Sequence, residues 1–146
     1  MRAECTALAA ELRVTDRVEF VGIASEASVI ERLARADVFV QHCVKASDGD
    51  MEGAPVSICE AMASGLAVVT TRHAGIVDLM REAKTGFLCD EHDWRTMADR
   101  MVTLAKDSEM RRRFGLAARE RMAREFNARG QAGKISQLLL SAAQRR

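Results

Sequence analysis

The apolar positions of this chain repeat with two different periods. Four short runs, VEFVG (18–22), VFVQH (38–42), AVVTT (67–71) and GFLC (86–89), have the length and the valine and phenylalanine content of strands. The middle two are almost continuously apolar, which suits strands covered on both faces. Between the runs the spacing becomes helical. Val29, Ile30, Leu33 and Ala36 recur at helical intervals behind Ser25 or Ser28, either of which can cap a helix. A second helix is predicted over 54–64, with Pro55 near its first turn and Gly65 just past its end. A short third spans 76–81 and closes before Thr85 and Gly86. Residues 3–12 form an amphipathic helix ahead of the first run. After Cys89 the pattern is helical throughout. Trp94, Met97, Ala98, Met101 and Leu104 make one stripe, and residues 116–126 another. Gly130 and Gly133 are expected to break the helix before a last amphipathic segment at 136–146.

Alternating strands and helices predict an α/β fold: a Rossmann-like parallel sheet with helices on both faces, followed by a helical C-terminal tail. We place the domain at 1–130 and the tail at 131–146. A doubly wound sheet normally starts on a strand, with its phosphate loop after an early strand. This chain starts on a helix. It therefore reads as the later part of a larger nucleotide-binding domain, without the first strand and phosphate loop.

Composition narrows the classes. With 48% hydrophobic and 29% charged residues the 146-residue chain can bury a core and is not of the disordered type. No apolar run is long enough to span a bilayer. Glu4 and Glu11 interrupt the N-terminal apolar pattern, unlike a secretory signal, so a cytoplasmic location is expected. Cys5, Cys43, Cys59 and Cys89 are scattered without a C-x-x-C pair and are expected to be reduced. Charge is uneven: residues 1–94 carry 9 Lys/Arg against 16 Asp/Glu, and residues 95–146 carry 13 against 5. The basic half suits an anionic membrane surface at the inner face, docking to another domain, or a solvated helix face. No nucleic-acid partner is expected, because the chain has no Tyr and its basic stretch has few aromatics to stack bases.

The candidate chemistry lies in GDMEGAPVSICEAMASGLAVVTT, residues 49–71. Glu60 is the only formally charged residue from Pro55 to Thr71, and Glu52 stands eight residues earlier. A helix starting near Pro55 presents the backbone N–H groups of Gly53, Ala54 and Val56 as an anion site. Gly53 removes a side chain where a ligand could approach closely. Glu60 falls on the same helix face as Val56, about 6 Å further along. Its carboxylate accepts hydrogen bonds only, so a vicinal diol is a natural partner; a surface position or an arginine partner is the alternative. Burial of this carboxylate without a partner would raise its pKa or cost stability.

This stretch resembles the E-x7-E signature of retaining GT-B glycosyltransferases, carried here by Glu52, Gly53, Pro55 and Glu60. The resemblance extends to VEFVG, ARADVFV, EAMASGLAVVTT, HAGIVDLM and KTGFLC, and so covers nearly the whole chain. It implies the donor-binding C-terminal domain of an enzyme that transfers a hexose, with retained configuration, from a UDP- or GDP-type sugar to a polysaccharide or glycolipid. In that reading Glu60 accepts the ribose hydroxyls and Glu52, the catalytic candidate, contacts hydroxyls of the transferred sugar. Gly53, Ala54, Pro55 and Val56 line the sugar and diphosphate, Val21 and Gly22 sit near the base, and Gly75 and Ile76 line the donor loop that contains His73. His42, at a strand end, either faces the sugar or is satisfied structurally. The D-G-D-x-E-G-x-P run tilts the resemblance toward bacterial exopolysaccharide transferases.

The same resemblance implies no metal and no cofactor. Asp48-Gly49-Asp50 imitates a D-x-D metal site and the opening of a calcium loop, but position twelve of such a loop is Cys59 and Glu60 comes one place late. The family's phosphate-binding Arg and Lys and its N-terminal acceptor domain, a required partner, have no counterpart here. His42-Cys43 stands where many members carry Pro-Ser. Charge stabilisation of the leaving group is usually the largest catalytic contribution, so the chain alone is expected to be inactive. Two alternatives remain at the sequence level. One is a nucleotide-sugar epimerase of the same architecture, which needs a further acid–base pair at the sugar. The other is a non-enzymatic nucleotide-binding or packing module.

Overall fold

A computed structural model describes residues 2–144, in two compact units divided between Glu31 and Arg32. The first holds α1 (Arg2–Glu11), a single 3-10 turn (Thr15–Arg17) and the start of α2 (Glu26–Arg35). Arg13 adopts φ +55 to leave α1, and the Val14 N–H donates back to the Ala9 carbonyl. Ser25 caps α2, its hydroxyl accepting from the Ser28 N–H. The predicted strand at 18–22 is absent. Val18 is extended, but the segment has no ladder partner among the described residues, and β propensity without a partner makes no strand.

The second unit is built on three parallel strands, β1 (Val38–Gln41), β2 (Ala67–Thr71) and β3 (Gly86–Cys89), in the order β1-β2-β3. Val38 pairs with Ala67 and Gln41 with Thr70; on the other side Val68 pairs with Gly86 and Thr71 with Cys89. The central strand is buried at all five positions, as its almost continuously apolar run predicts. One face of the sheet presents Val68 and Leu88 to α3 (Val56–Ala63) and α4 (Ile76–Leu79), through Ile58, Ala61, Met62, Ile76 and Leu79. The other presents Ala67, Val69, Phe87 and Cys89 to Met97 and Leu104 of α5 (Trp94–Lys106). Helix α6 (Ser108–Glu125) reaches both cores, with Phe114 on the second and Ala118 and Met122 on the first. The expected helices on both faces of a parallel sheet are therefore present.

Helix ends explain part of the arginine content. The buried Arg121 donates from Nε to the Leu79 carbonyl at 2.8 Å and from Nη2 to the Asp78 carbonyl at 2.7 Å, closing α4. Arg111 likewise meets the Leu104 and Ala105 carbonyls at the end of α5. The glycines of the tail do not break it. Helix α7 runs unbroken over Ala128–Ala143 through Gly130 and Gly133, capped by Asn127, whose side chain accepts from the Gly130 N–H at 2.8 Å. A capped first turn tolerates glycine at a cost of about 1 kcal/mol. The helix thus starts three residues before the tail boundary drawn at 131; Arg145 and Arg146 of that tail lie outside the described residues. None of the helices described is long and apolar enough to cross a membrane.

Gly65 ends α3 at φ +83, as its position predicts, and its carbonyl touches Gly115 of α6. A Cβ on Gly115 would lie 1.9 Å from that oxygen. Gly115→Ala should gain about 1 kcal/mol of helix propensity, but the backbone clash outweighs it and net destabilisation of about 1–3 kcal/mol is expected. Urea denaturation checks this: the midpoint should fall, and a midpoint that rises would show that α3 and α6 are not in this contact.

Candidate donor-binding site

Parallel pairing brings the carboxyl ends of β1, β2 and β3 to one edge, and the loops that follow them assemble there. The loop after β1 runs from His42 to Pro55. Within it Asp48 Oδ1 accepts the Asp50 N–H and Asp50 Oδ1 the Met51 N–H, so both acids of the D-x-D-like run brace turns. Among the described residues no three His, Cys, Asp or Glu side chains are grouped to hold a metal.

Pro55 is buried and serves as the N-cap of α3, at φ −60 and ψ 126, with no side-chain cap on the first-turn amides. Ser57, in that turn, donates to Gln41 Oε1 at 2.6 Å and ties the helix start to the end of β1. Ile58, Ala61 and Met62 face the core. Glu60, two residues past Ile58, therefore points the other way. Its carboxylate is exposed, as is Val56 one turn earlier, and no cation pairs with it among the described residues. Of the alternatives open for this acid in the sequence, the surface position is the one observed, because only one side of α3 is buried.

Gly53 and Ala54 are exposed beside the helix start, with Glu52 next to them, also exposed. Gly53 has no positive φ, and a Cβ on it would meet nothing within 4 Å. Internal packing gives no reason for a glycine there. Gly75 is the opposite case: a Cβ on it would lie 2.6 Å from the Gly53 carbonyl oxygen and 3.7 Å from the Ala54 Cβ. The loops after β1 and β2 thus touch backbone to backbone. Ile76 follows Gly75, but its side chain is fully buried in the core, leaving only its backbone toward the loop. His42 is exposed at the end of β1, its ring centroid 6.3 Å from that of His92. Val21 and Gly22 belong to the first unit, where Val21 is exposed and Gly22 adopts φ +73.

One group at this edge escapes sequence reasoning. Glu91, two residues past β3, meets His73 Nδ1 with Oε1 at 2.6 Å and accepts the Lys45 N–H on Oε2 at 2.9 Å. Thr71 holds the same loop, its Oγ1 accepting the Cys43 N–H at 3.0 Å and donating to the Cys43 carbonyl at 2.5 Å. No local motif signals either link, since the partners lie 18 to 46 residues apart in the chain. The His73 hydrogen bond, followed by the Lys45 amide, lowers the Glu91 carboxyl below its ordinary 4.5. Burial raises the thiols of Cys43, Cys59 and Cys89, which are free cysteines, and this suits neutral core residues.

Two outcomes follow from this geometry. Gly75→Ala should push residues 53 and 54 outward and lower the melting temperature; an unchanged melting temperature together with unchanged Gly53 amide shifts would contradict the backbone contact. A carboxyl whose folded pKa is depressed stabilises above its unfolded pKa, and that contribution is lost as pH falls through the folded value. The stability gap between wild type and Glu91→Gln should therefore be full at pH 6 and close below about pH 4. A gap that widens on acidification would refute a Glu91 carboxylate held ionised by these two hydrogen bonds.

Comparison with known proteins identifies the family. Residues 1–121 match the family "Glycosyl transferases group 1". The putative colanic acid biosynthesis glycosyltransferase WcaL of Escherichia coli is 38% identical over 118 residues, which cover 80% of this chain and 29% of that protein. The amylovoran biosynthesis glycosyltransferase AmsK of Erwinia amylovora is 35% identical over 127 residues, 87% of this chain and 31% of that one. Among solved structures, sucrose-phosphate synthase of Thermosynechococcus elongatus matches with TM-score 0.79 at 26% identity, over 97% of this chain and 35% of its own. Anabaena HepE, solved with UDP-glucose, matches with TM-score 0.81 over 95% of this chain and 36% of its own; at 22% identity that likeness speaks for the fold. The chain spans about a third of the length of these proteins. In sequence and in fold, this chain belongs to the group 1 glycosyl transferases of GT-B architecture.

Proposed function

We propose that this chain is the donor-binding part of a glycosyltransferase that moves a hexose from a nucleoside diphosphate sugar to a polysaccharide or glycolipid, with retention of anomeric configuration. The observation that carries the reading is the open space at Gly53. There a glycine required by neither φ nor packing lies between two exposed carboxylates and the uncapped amides of α3. Space of this kind is what close approach of a ligand demands. The solved complexes of HepE with UDP and with UDP-glucose support a nucleotide-sugar ligand for this fold. The exopolysaccharide relatives support a polysaccharide-type acceptor.

Each residue then has a chemical role. First-turn amides of α3, with the positive end of its dipole, hold the diphosphate. Glu60, on the exposed face of the helix, accepts the two ribose hydroxyls, which only an acceptor can bind in that manner. Glu52 accepts hydroxyls of the transferred sugar and orients its anomeric carbon. The backbone of Gly75 closes the loop against Gly53, and His42 stands at the sugar side of the edge.

Calorimetric titration with UDP, GDP and ADP tests the assignment. Binding of one nucleotide should weaken at least tenfold in Glu60→Ala, the loss of about one charge-assisted hydrogen-bond pair, and in Gly53→Leu. Arg129→Ala, on α7, should leave it unchanged. Equal binding by wild type and both site variants would contradict the assignment.

A further inference from the structure

The loop that carries Glu52 is tied to the segment His73–Gly75 at both of its ends, directly at one and through Glu91 at the other. At the far end the Gly53 carbonyl oxygen lies 2.6 Å from where a Gly75 Cβ would be. At the near end the Lys45 N–H is held by Glu91, and Glu91 is held by His73. Between these anchors the loop has its own turns, Ala46 N–H to the Asp50 carbonyl and Gly49 N–H to the Ala46 carbonyl, and is otherwise exposed. Ala74 between them adopts φ +39, which turns His73 inward and Gly75 toward the loop.

Among the described residues, His73 is hydrogen-bonded at one ring nitrogen only. Its side chain is 1% exposed, and its Nε2 is buried without a hydrogen-bond partner among the described residues. A buried imidazole with one nitrogen unsatisfied carries a cost that the bond at the other nitrogen only partly offsets, and here that bond is to Glu91. Glu91 is partly exposed, at 28%, and without the ring its carboxylate would sample several rotamers in water. With the ring it offers a fixed acceptor to the Lys45 amide. One carboxylate on the loop after β3 thereby joins the loops after β1 and β2.

We propose that Glu91, oriented by His73, is a positioning residue for the donor: it fixes the loop after β1 so that Glu52 and Gly53 are preorganised for the nucleotide-sugar. This rests on the donor reading above. It adds a residue pair that touches neither nucleotide nor sugar and acts through the Lys45 backbone.

The test combines amide hydrogen exchange by NMR with UDP and GDP titration, on wild type, Glu91→Gln, Glu91→Ala and His73→Phe. Glu91→Gln keeps a side-chain oxygen for the Lys45 N–H and turns its amide NH2 toward His73 Nδ1, which accepts as the other tautomer. It should retain slow exchange at Lys45 and nucleotide affinity within about twofold. Glu91→Ala should speed exchange at Lys45 and at residues 52–54 about tenfold, leave the α5 and α6 amides unchanged, and weaken nucleotide binding about tenfold. His73→Phe should behave like Glu91→Ala at the loop. Unchanged loop exchange and affinity in Glu91→Ala would overturn the proposal while the donor reading stands. Uniform acceleration across all helices would overturn it in favour of a general packing role. A wild type that binds neither UDP nor GDP would count against the donor reading instead. The exchange pattern alone would then decide, local acceleration upholding the anchor and unchanged or uniform exchange rejecting it.

Discussion

Parallel hydrogen bonding of β2 to both of its neighbours is the constraint on which the rest of this molecule depends. It forces the three strands to end at one edge, so every loop that follows a strand meets the others there. It also requires cover on both faces of a strand with no polar side, supplied by α3 and α4 on one face and α5 on the other. Chemistry is left to the edge. The loops that meet there touch through glycine backbones and are fixed by a few side chains, Thr71, His73 and Glu91, none of which stands in the signature motif.

Much of this was legible in the sequence because it is local. β2 and β3 announce themselves by short apolar runs, and α3 by Pro55 and Gly65 at its two ends, all read within a dozen residues. The family could be read from the motif, since Glu52, Gly53, Pro55 and Glu60 keep fixed spacing on one loop and one helix. What failed or stayed open turns on a missing ladder partner, a cap and the facing of a helix. The run at 18–22 has strand composition but lacks a ladder partner among the described residues. Gly130 and Gly133 read as breakers, yet the Asn127 cap and helical neighbours carry the helix through them. Whether Glu60 is buried or exposed was open in the sequence, because its neighbours there are apolar and burial follows the face of the helix.

Charge asymmetry shows the same lesson. Thirteen basic residues in the last third suggest an anionic partner when counted. In the fold, Arg121 is buried under the end of α4 with Glu125 at its side, and Arg111 closes α5 and meets Asp37. At least those two cations serve the dipoles and carbonyls of helix ends, a use that net charge cannot reveal.

The central claim is that a nucleotide-sugar enters at the carboxyl edge, between the start of α3 and the turn after β2. Chemical-shift mapping of backbone amides during titration with UDP-glucose and with GDP-mannose tests it most directly. The account predicts that one of the two shifts a contiguous set comprising residues 53–57 and 73–76, and leaves α7 unmoved. Saturable shifts confined to α7 or to the outer face of α5, with the loop amides unchanged, would contradict it.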